Sequence, residues 1–236
     1  MTHHFGVLIP STNTTVEIEL SRLSSSYQAH FARVLSSTPG QPFSPSRDDD
    51  IDYQSKLLGT AKVEMVMLMQ TSASLFADDY DEIVIPRMSA AARSVPATTS
   101  ARAIGHALRA LGVRRIGLVS PYSDAVNARA KHYFSEKHGL DIIAVEGFGA
   151  NDSYAIGNLG PEKAHEAFAR IDRPEIDAFM VPGANFPTMA SIATWEHAFN
   201  KPVVTSTQAA LWAMARQLGG EPIAGFGRLL EQLPAA

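Results

Sequence analysis

The sequence contains no cysteine. That absence excludes disulfides, thiolate metal sites and thiol nucleophiles together. It also lacks any Lys/Arg-rich block, and 20 Lys and Arg against 24 Asp and Glu leave a net charge of −4. Nucleic acid and anionic membrane surfaces are therefore not expected as partners. No apolar run approaches the roughly 18 residues of a membrane span. No GxGxxG follows the first apolar run and no GxxxxGK[ST] occurs, so dinucleotide and P-loop readings fail. HxH, HExxH and carboxylate–histidine spacings are missing from the segments that matter below. No metal and no cofactor is expected. The first residues run straight into Phe5-Gly6-Val7-Leu8-Ile9-Pro10 with no charged-then-apolar leader, and a cytoplasmic location is the expectation.

What is present is ordinary globular composition: 236 residues, 45% hydrophobic and 19% charged. That suits one large domain or two small ones. A short apolar run, a loop and a helical stretch recur along the chain. Strands are expected over residues 5–10, 29–35, 65–70, 95–98, 115–120, 141–145, 177–182 and 202–205. Helices are expected from Thr14 or Thr15, a natural N-cap, to Leu23, and over residues 48–62, 99–111, 123–138, 161–171, 188–199 and 206–218. Residues 36–45 and 147–160 read as loops, and a short tail helix is expected within 222–236. Asp48-Asp49-Asp50 suits a helix start better than a metal site, because adjacent helical residues point in different directions. Asp78, Asp79, Asp81 and Glu82 read as a solvated acidic face.

One stretch organises the rest: Met65-Val66-Met67-Leu68-Met69-Gln70-Thr71-Ser72-Ala73-Ser74. An apolar run gives way at once to an amide and small hydroxyls. A buried parallel strand reads this way at its C-terminal end, where open α/β sheets bind ligands. Thr71 and Ser72 suit both a helix cap and a carboxylate grip.

The chain also repeats itself. Pro96-Ala97-Thr98-Thr99-Ser100 matches Pro202-Val203-Val204-Thr205-Ser206, and at the same offset His106 meets Trp212. Residues 5–10 match 116–121, and 65–70 match 178–183. The expected fold is α/β, with two pseudo-symmetric Rossmann-like halves, each a four-stranded parallel sheet flanked by helices. Residues 1–98 with a returning 207–236 form one half and 99–206 the other. The ligand cleft lies between them. Ser11, Asn13, Gln70, Thr71 and Ser72 line it from the first half, and Tyr122, Gly183, Ala184 and Asn185 from the second. These groups suit a small carboxylate or dicarboxylate held by hydrogen bonds.

With the repeat and its loops in hand, the chain resembles the aspartate/glutamate racemase superfamily, within it the maleate cis–trans isomerase and arylmalonate decarboxylase branch. Gly6 through Thr15 resembles that branch's opening, and Met69 through Ser74 its first active-site loop. Ser120-Pro121-Tyr122 resembles its mid-chain loop, and Gly183 through Met189 with residues 202–206 its second active-site segment. The resemblance covers nearly the whole chain. It implies that the family's cysteine positions fall on Gln70 and Gly183, neither of which can act as nucleophile or base. Asn13, Thr71, Ser72, Tyr122 and the Gly183-Ala184 backbone sit where the family grips carboxylates.

Three readings stand. One is an isomerase or lyase that works on a small carboxylate without cysteine, using an oxyanion pocket. Its candidate proton carriers are Tyr122, Asp152 and Tyr154. The second is a non-catalytic, carboxylate-binding or regulatory descendant. The third is an engineered variant, for which Gln70 and Gly183 are odd replacements. His106, His132, His138, His165 and His197 fall on expected helices, away from strand ends. A homo-oligomer, dimer or higher, is expected from size and class.

Overall fold

The computed structural model describes residues 2–23, 26–35, 45–150 and 152–233. In chain order it contains β1 (His3–Pro10), α1 (Val16–Leu20), β2 (Tyr27–Val34), α2 (Asp48–Thr60), β3 (Val66–Leu68), α3 (Thr71–Ser74), α4 (Tyr80–Ala91), β4 (Ala97–Thr99) and α5 (Ser100–Ala110). It continues with β5 (Arg115–Ser120), α6 (Asp124–His138), β6 (Asp141–Gly147), α7 (Ser153–Gly157), α8 (Pro161–Ile171) and β7 (Ala178–Val181). A 3-10 turn, Met189–Ser191, then leads into α9 (Ile192–Phe199), β8 (Val203–Thr205), α10 (Ser206–Leu218) and α11 (Arg228–Glu231). The loop expected over 36–45 lies, apart from Pro45, outside the described residues, as does the end of the tail.

The strands form two four-stranded sheets, ordered β2-β1-β3-β4 and β6-β5-β7-β8. All pairs are parallel. The two orders correspond strand for strand, as the sequence repeat requires. Each order reverses direction between its second and third strands, the switch point where ligands bind such sheets.

Why β1 and β3 are apolar at nearly every position follows from their two buried faces. Phe5, Val7, Ile9, Met65, Met67 and Met69 face the main core, which runs continuously into the second half. Leu8, Val66 and Leu68 face the other way, onto Ile51, Leu58, Val84 and Met88 of α2 and α4. α5 and α10, the helices that follow the last strand of each half, pack against one another. Thr99 caps α5 by accepting from the Arg102 N–H at 3.2 Å. Thr205 and Gln208 form a reciprocal capping box on α10.

Three local expectations change. Residues 80–91 form α4, although Pro86 lies inside it. Asp81 on that helix is buried rather than solvated. The loop expected over 147–160 contains the five-residue α7, whereas the short tail helix expected within 222–236 is present as α11.

Candidate active site

β3 ends at Leu68, and Gln70 stands at the N-cap position of the short α3. Gln70, Thr71 and Ser72 are therefore presented at a strand end, buried, beside the loop after β1. Opposite them lie Tyr122, after β5, and Gly183-Ala184-Asn185, after β7. Together with Pro10, Asn13, Met69, Ser153 and Ile156 they enclose a cleft of about 30 Å³. That enclosed part suits one carboxylate group or one ordered water, and the cleft around it is open to solvent on one side. Among the described lining residues there is no carboxylate, imidazole, ammonium or guanidinium.

A chain of hydroxyls crosses between the halves beneath this cleft. Thr71 Oγ1 is hydrogen-bonded to Ser100 Oγ at 2.8 Å and to Ser206 Oγ at 2.9 Å. Ser206 Oγ also accepts the Gly183 N–H at 2.9 Å. Ser100 and Ser206 are the matching residues of the repeat, so the duplication converges on Thr71. Tyr122 joins the same cluster through a hydrogen bond with Thr71. Burial pushes the Tyr122 hydroxyl above its ordinary value, with the Thr71 bond opposing. It is a neutral phenol at physiological pH.

Gly183 is held at φ +109°, where side chains are strained, and an added Cβ would lie 2.8 Å from Pro121 Cγ and 3.4 Å from the Tyr122 hydroxyl. The backbone here approaches Tyr122 as closely as it does because the residue is glycine.

Other expected site residues are placed differently. Asn13 lines the cleft, but its Oδ1 accepts the Thr15 and Val16 N–H groups, both at 3.0 Å. The side-chain cap of α1 is thus Asn13 rather than Thr14 or Thr15, and its amide nitrogen is the part left to face a ligand. Asn185 also lines the cleft, yet its Oδ1 accepts from Thr14 N at 2.8 Å while its Nδ2 donates to the Ser153 carbonyl. Its side chain ties the halves together. Gln70 Oε1 accepts the Ser46 N–H at 3.1 Å. Ser11 is exposed and outside the lining, its carbonyl accepting from Arg33 at 3.2 Å. Asp152 is exposed and caps α7, accepting the Ala155 N–H at 2.8 Å. Tyr154 is 67% exposed. Of the three candidate proton carriers, Tyr122 alone lines the cleft.

Sequence reasoning missed two buried acids that support the site. Asp81 Oδ1 accepts from Ser74 at 2.7 Å and Thr99 at 3.0 Å, and its Oδ2 accepts from the Tyr133 hydroxyl. It joins α3, α4, α6 and the end of β4. Glu19 on α1 accepts from Thr188 N at 2.6 Å and Met189 N at 2.8 Å, anchoring the loop that carries Gly183. Burial raises the Glu19 carboxyl above its usual range, with those backbone bonds opposing.

The arylmalonate decarboxylase family model matches residues 6–230. The chain belongs to the arylmalonate decarboxylase family. It is 30% identical to arylmalonate decarboxylase of Bordetella bronchiseptica over 177 residues, covering 71% of each chain. It is 22% identical to maleate isomerase of Alcaligenes faecalis over 235 residues, covering 93% of this chain and 92% of that one. Among solved structures, maleate isomerase from Pseudomonas putida S16 with maleate superposes with a TM-score of 0.90 at 22% identity, covering 98% of both chains. An unliganded arylmalonate decarboxylase superposes with a TM-score of 0.81 at 24% identity, covering 98% of this chain and all of the other. Those two likenesses establish a shared fold. The family's relatives include decarboxylases and isomerases, and this member meets the cleft without a single cysteine.

Proposed function

We propose that this protein is a cysteine-independent lyase that decarboxylates a small malonate-type dicarboxylate. The observation that carries the reading is the lining of the cleft. Hydroxyl, amide and backbone N–H groups converge there, and Tyr122 is the one titratable side chain among the described lining residues.

That lining suits one class of chemistry within the family better than another. Isomerisation or racemisation by covalent addition or two-base proton transfer needs a nucleophile or a base. Hydroxyls and amides without a base partner supply neither. Decarboxylation of an activated acid needs no base. The bond between the α-carbon and one carboxyl carbon breaks, and carbon dioxide leaves. The electron pair stays on the α-carbon and spreads into the remaining carboxylate as an enediolate.

Donors aimed at that developing charge lower the barrier, because they are already oriented when the charge appears. The first N–H groups of α3 have no intrahelical acceptor. Either partner can donate in the Thr71–Ser100 and Thr71–Ser206 bonds, so on substrate entry the network can turn the Thr71 proton from Tyr122 to the oxyanion. The enediolate carbon then takes a proton from the Tyr122 hydroxyl, and the tyrosinate recovers its own from water. A raised Tyr122 pKa suits this order of events: the phenol remains protonated until a strongly basic carbon forms beside it.

The test is a panel of malonates, maleate, fumarate and aspartate, screened by thermal shift and followed by product analysis. At a hundredfold excess over its dissociation constant, a ligand stabilises the fold by about 2.7 kcal/mol. The expected result is a shift with a malonate and its monoacid as product. Turnover of maleate to fumarate with malonates inert would replace this reading with an isomerase. A bound malonate that stays intact would favour a carboxylate-binding protein.

A further inference from the structure

α5 and α10 begin at the cleft, where Ser100 and Ser206 hold Thr71. Their last turns end at the opposite side of the fold. There they form an open groove of about 700 Å³ with the starts of β3 and β4. Arg102, His106, Arg109, Trp212, Arg216 and Gln217 line it, and no carboxylate does.

Arg102 is partly satisfied, lying 3.7 Å from Asp81 and 3.3 Å from Glu82. Arg109 and Arg216 are exposed and enter no ion pair among the described residues. The Arg216 guanidinium carbon lies over the Trp212 ring, 5.0 Å from its centroid. His106 and Trp212 are the matching residues of the repeat, so both halves contribute one wall each.

Helix dipoles account for part of this. A basic side chain in the last turn complements the roughly half negative charge of a helix C-terminus. Arg109 and Arg216 hold those positions. With Arg102 paired to Asp81 and Glu82, two half charges still do not offset the two full ones of Arg109 and Arg216. The same three arginines act on His106. Burial, then Arg102, Arg109 and Arg216 in turn, hold its imidazole below the ordinary value.

We propose that this groove binds a small, multiply charged oxyanion, forked between Arg109 and Arg216. Guanidinium planes match phosphate and carboxylate geometry in two-point contacts. The groove does not share the cleft's lining, and the proposal is independent of the reaction assigned there.

Isothermal titration with pyrophosphate and with citrate, at constant ionic strength set by sodium chloride, tests it. The wild type is expected to bind one or both. Arg109→Gln and Arg216→Gln are each expected to weaken that binding about tenfold or more, the scale of one charge-assisted contact. Arg109→Lys, which keeps the charge and loses the fork, is expected to fall between. Tighter pyrophosphate binding assigns the site to a phosphate group, tighter citrate binding to a polycarboxylate. Both side chains are exposed, so folding of the variants is checked simply by an unchanged Tm. Trp212 emission gives a second reading: pyrophosphate or citrate should change it in the wild type and not in Arg216→Gln. Absence of heat with either anion, or binding that survives both substitutions, overturns the proposal.

Discussion

Position 183 shows how tightly single residues define this cleft. Its φ of +109° and the 2.8 Å approach of an added Cβ to Pro121 Cγ make glycine a steric requirement there. Gly183→Cys is therefore expected to cost about 1–3 kcal/mol through backbone strain and overpacking. Pro121→Ala in the same chain should recover part of the loss. Urea denaturation midpoints check both, and a Gly183→Cys chain as stable as the parent would contradict the geometry. Ser206→Ala removes the acceptor of the Gly183 N–H, leaving a buried donor at a cost of about 1–3 kcal/mol. Thr71→Val should weaken carboxylate binding by a similar ~1–3 kcal/mol, read by calorimetry with malonate. The sequence showed which residue types gather at the strand ends. It could not show which polar atom does what. Asn13 and Asn185 look like ligand groups, yet most of their capacity goes to capping α1 and tying the halves. An amide serves either use, and only its distant partners decide between them.

Acids on α1 and α4 set the support behind the cleft. Asp81 was legible as an acid among acids, at a stretch where Pro86 obscures the helix. Its neighbours Tyr80, Val84 and Met88 fall on one buried face, and Asp81 turns inward with them. Its partners Ser74, Thr99 and Tyr133 come from three other elements. No local pattern could announce that meeting. Asp81→Ala should destabilise by about 3–5 kcal/mol, since it strands several buried hydroxyls and removes the partner of Arg102. A near-neutral change in Tm would sink this view of the residue. Glu19 offers a pH signature. Its carboxyl is raised in the folded state, so the native chain holds its proton more tightly than the unfolded chain. Its contribution is full below the unfolded value near 4.5 and is lost as pH rises through the folded value. Glu19→Gln keeps an acceptor for Thr188 and Met189 but cannot ionise. The Tm of the variant relative to wild type should therefore climb as pH rises above about 4.5. A difference that is flat in pH would show that burial does not raise the Glu19 carboxyl.

At the scale of the molecule, the duplication was the most legible feature. Two matching sets of strand-end segments foretold two sheets of the same order, and the sheets are ordered alike. The repeat also carried a detail visible only after folding: Ser100 and Ser206 meet at one threonine hydroxyl. Family membership accords with that architecture, and the absence of cysteine narrows the chemistry that the cleft can perform. The central claim is that hydroxyls, amides and backbone donors suffice to expel carbon dioxide from a malonate. The most direct measurement is release of carbon dioxide from an aryl- or alkyl-substituted malonate by the wild type beside Thr71→Val and Tyr122→Phe. The account predicts catalysed release, reduced about a hundredfold when the Thr71 donor is removed and slowed at the protonation step when Tyr122 loses its hydroxyl. Malonate that binds in the cleft and remains intact over hours would contradict it.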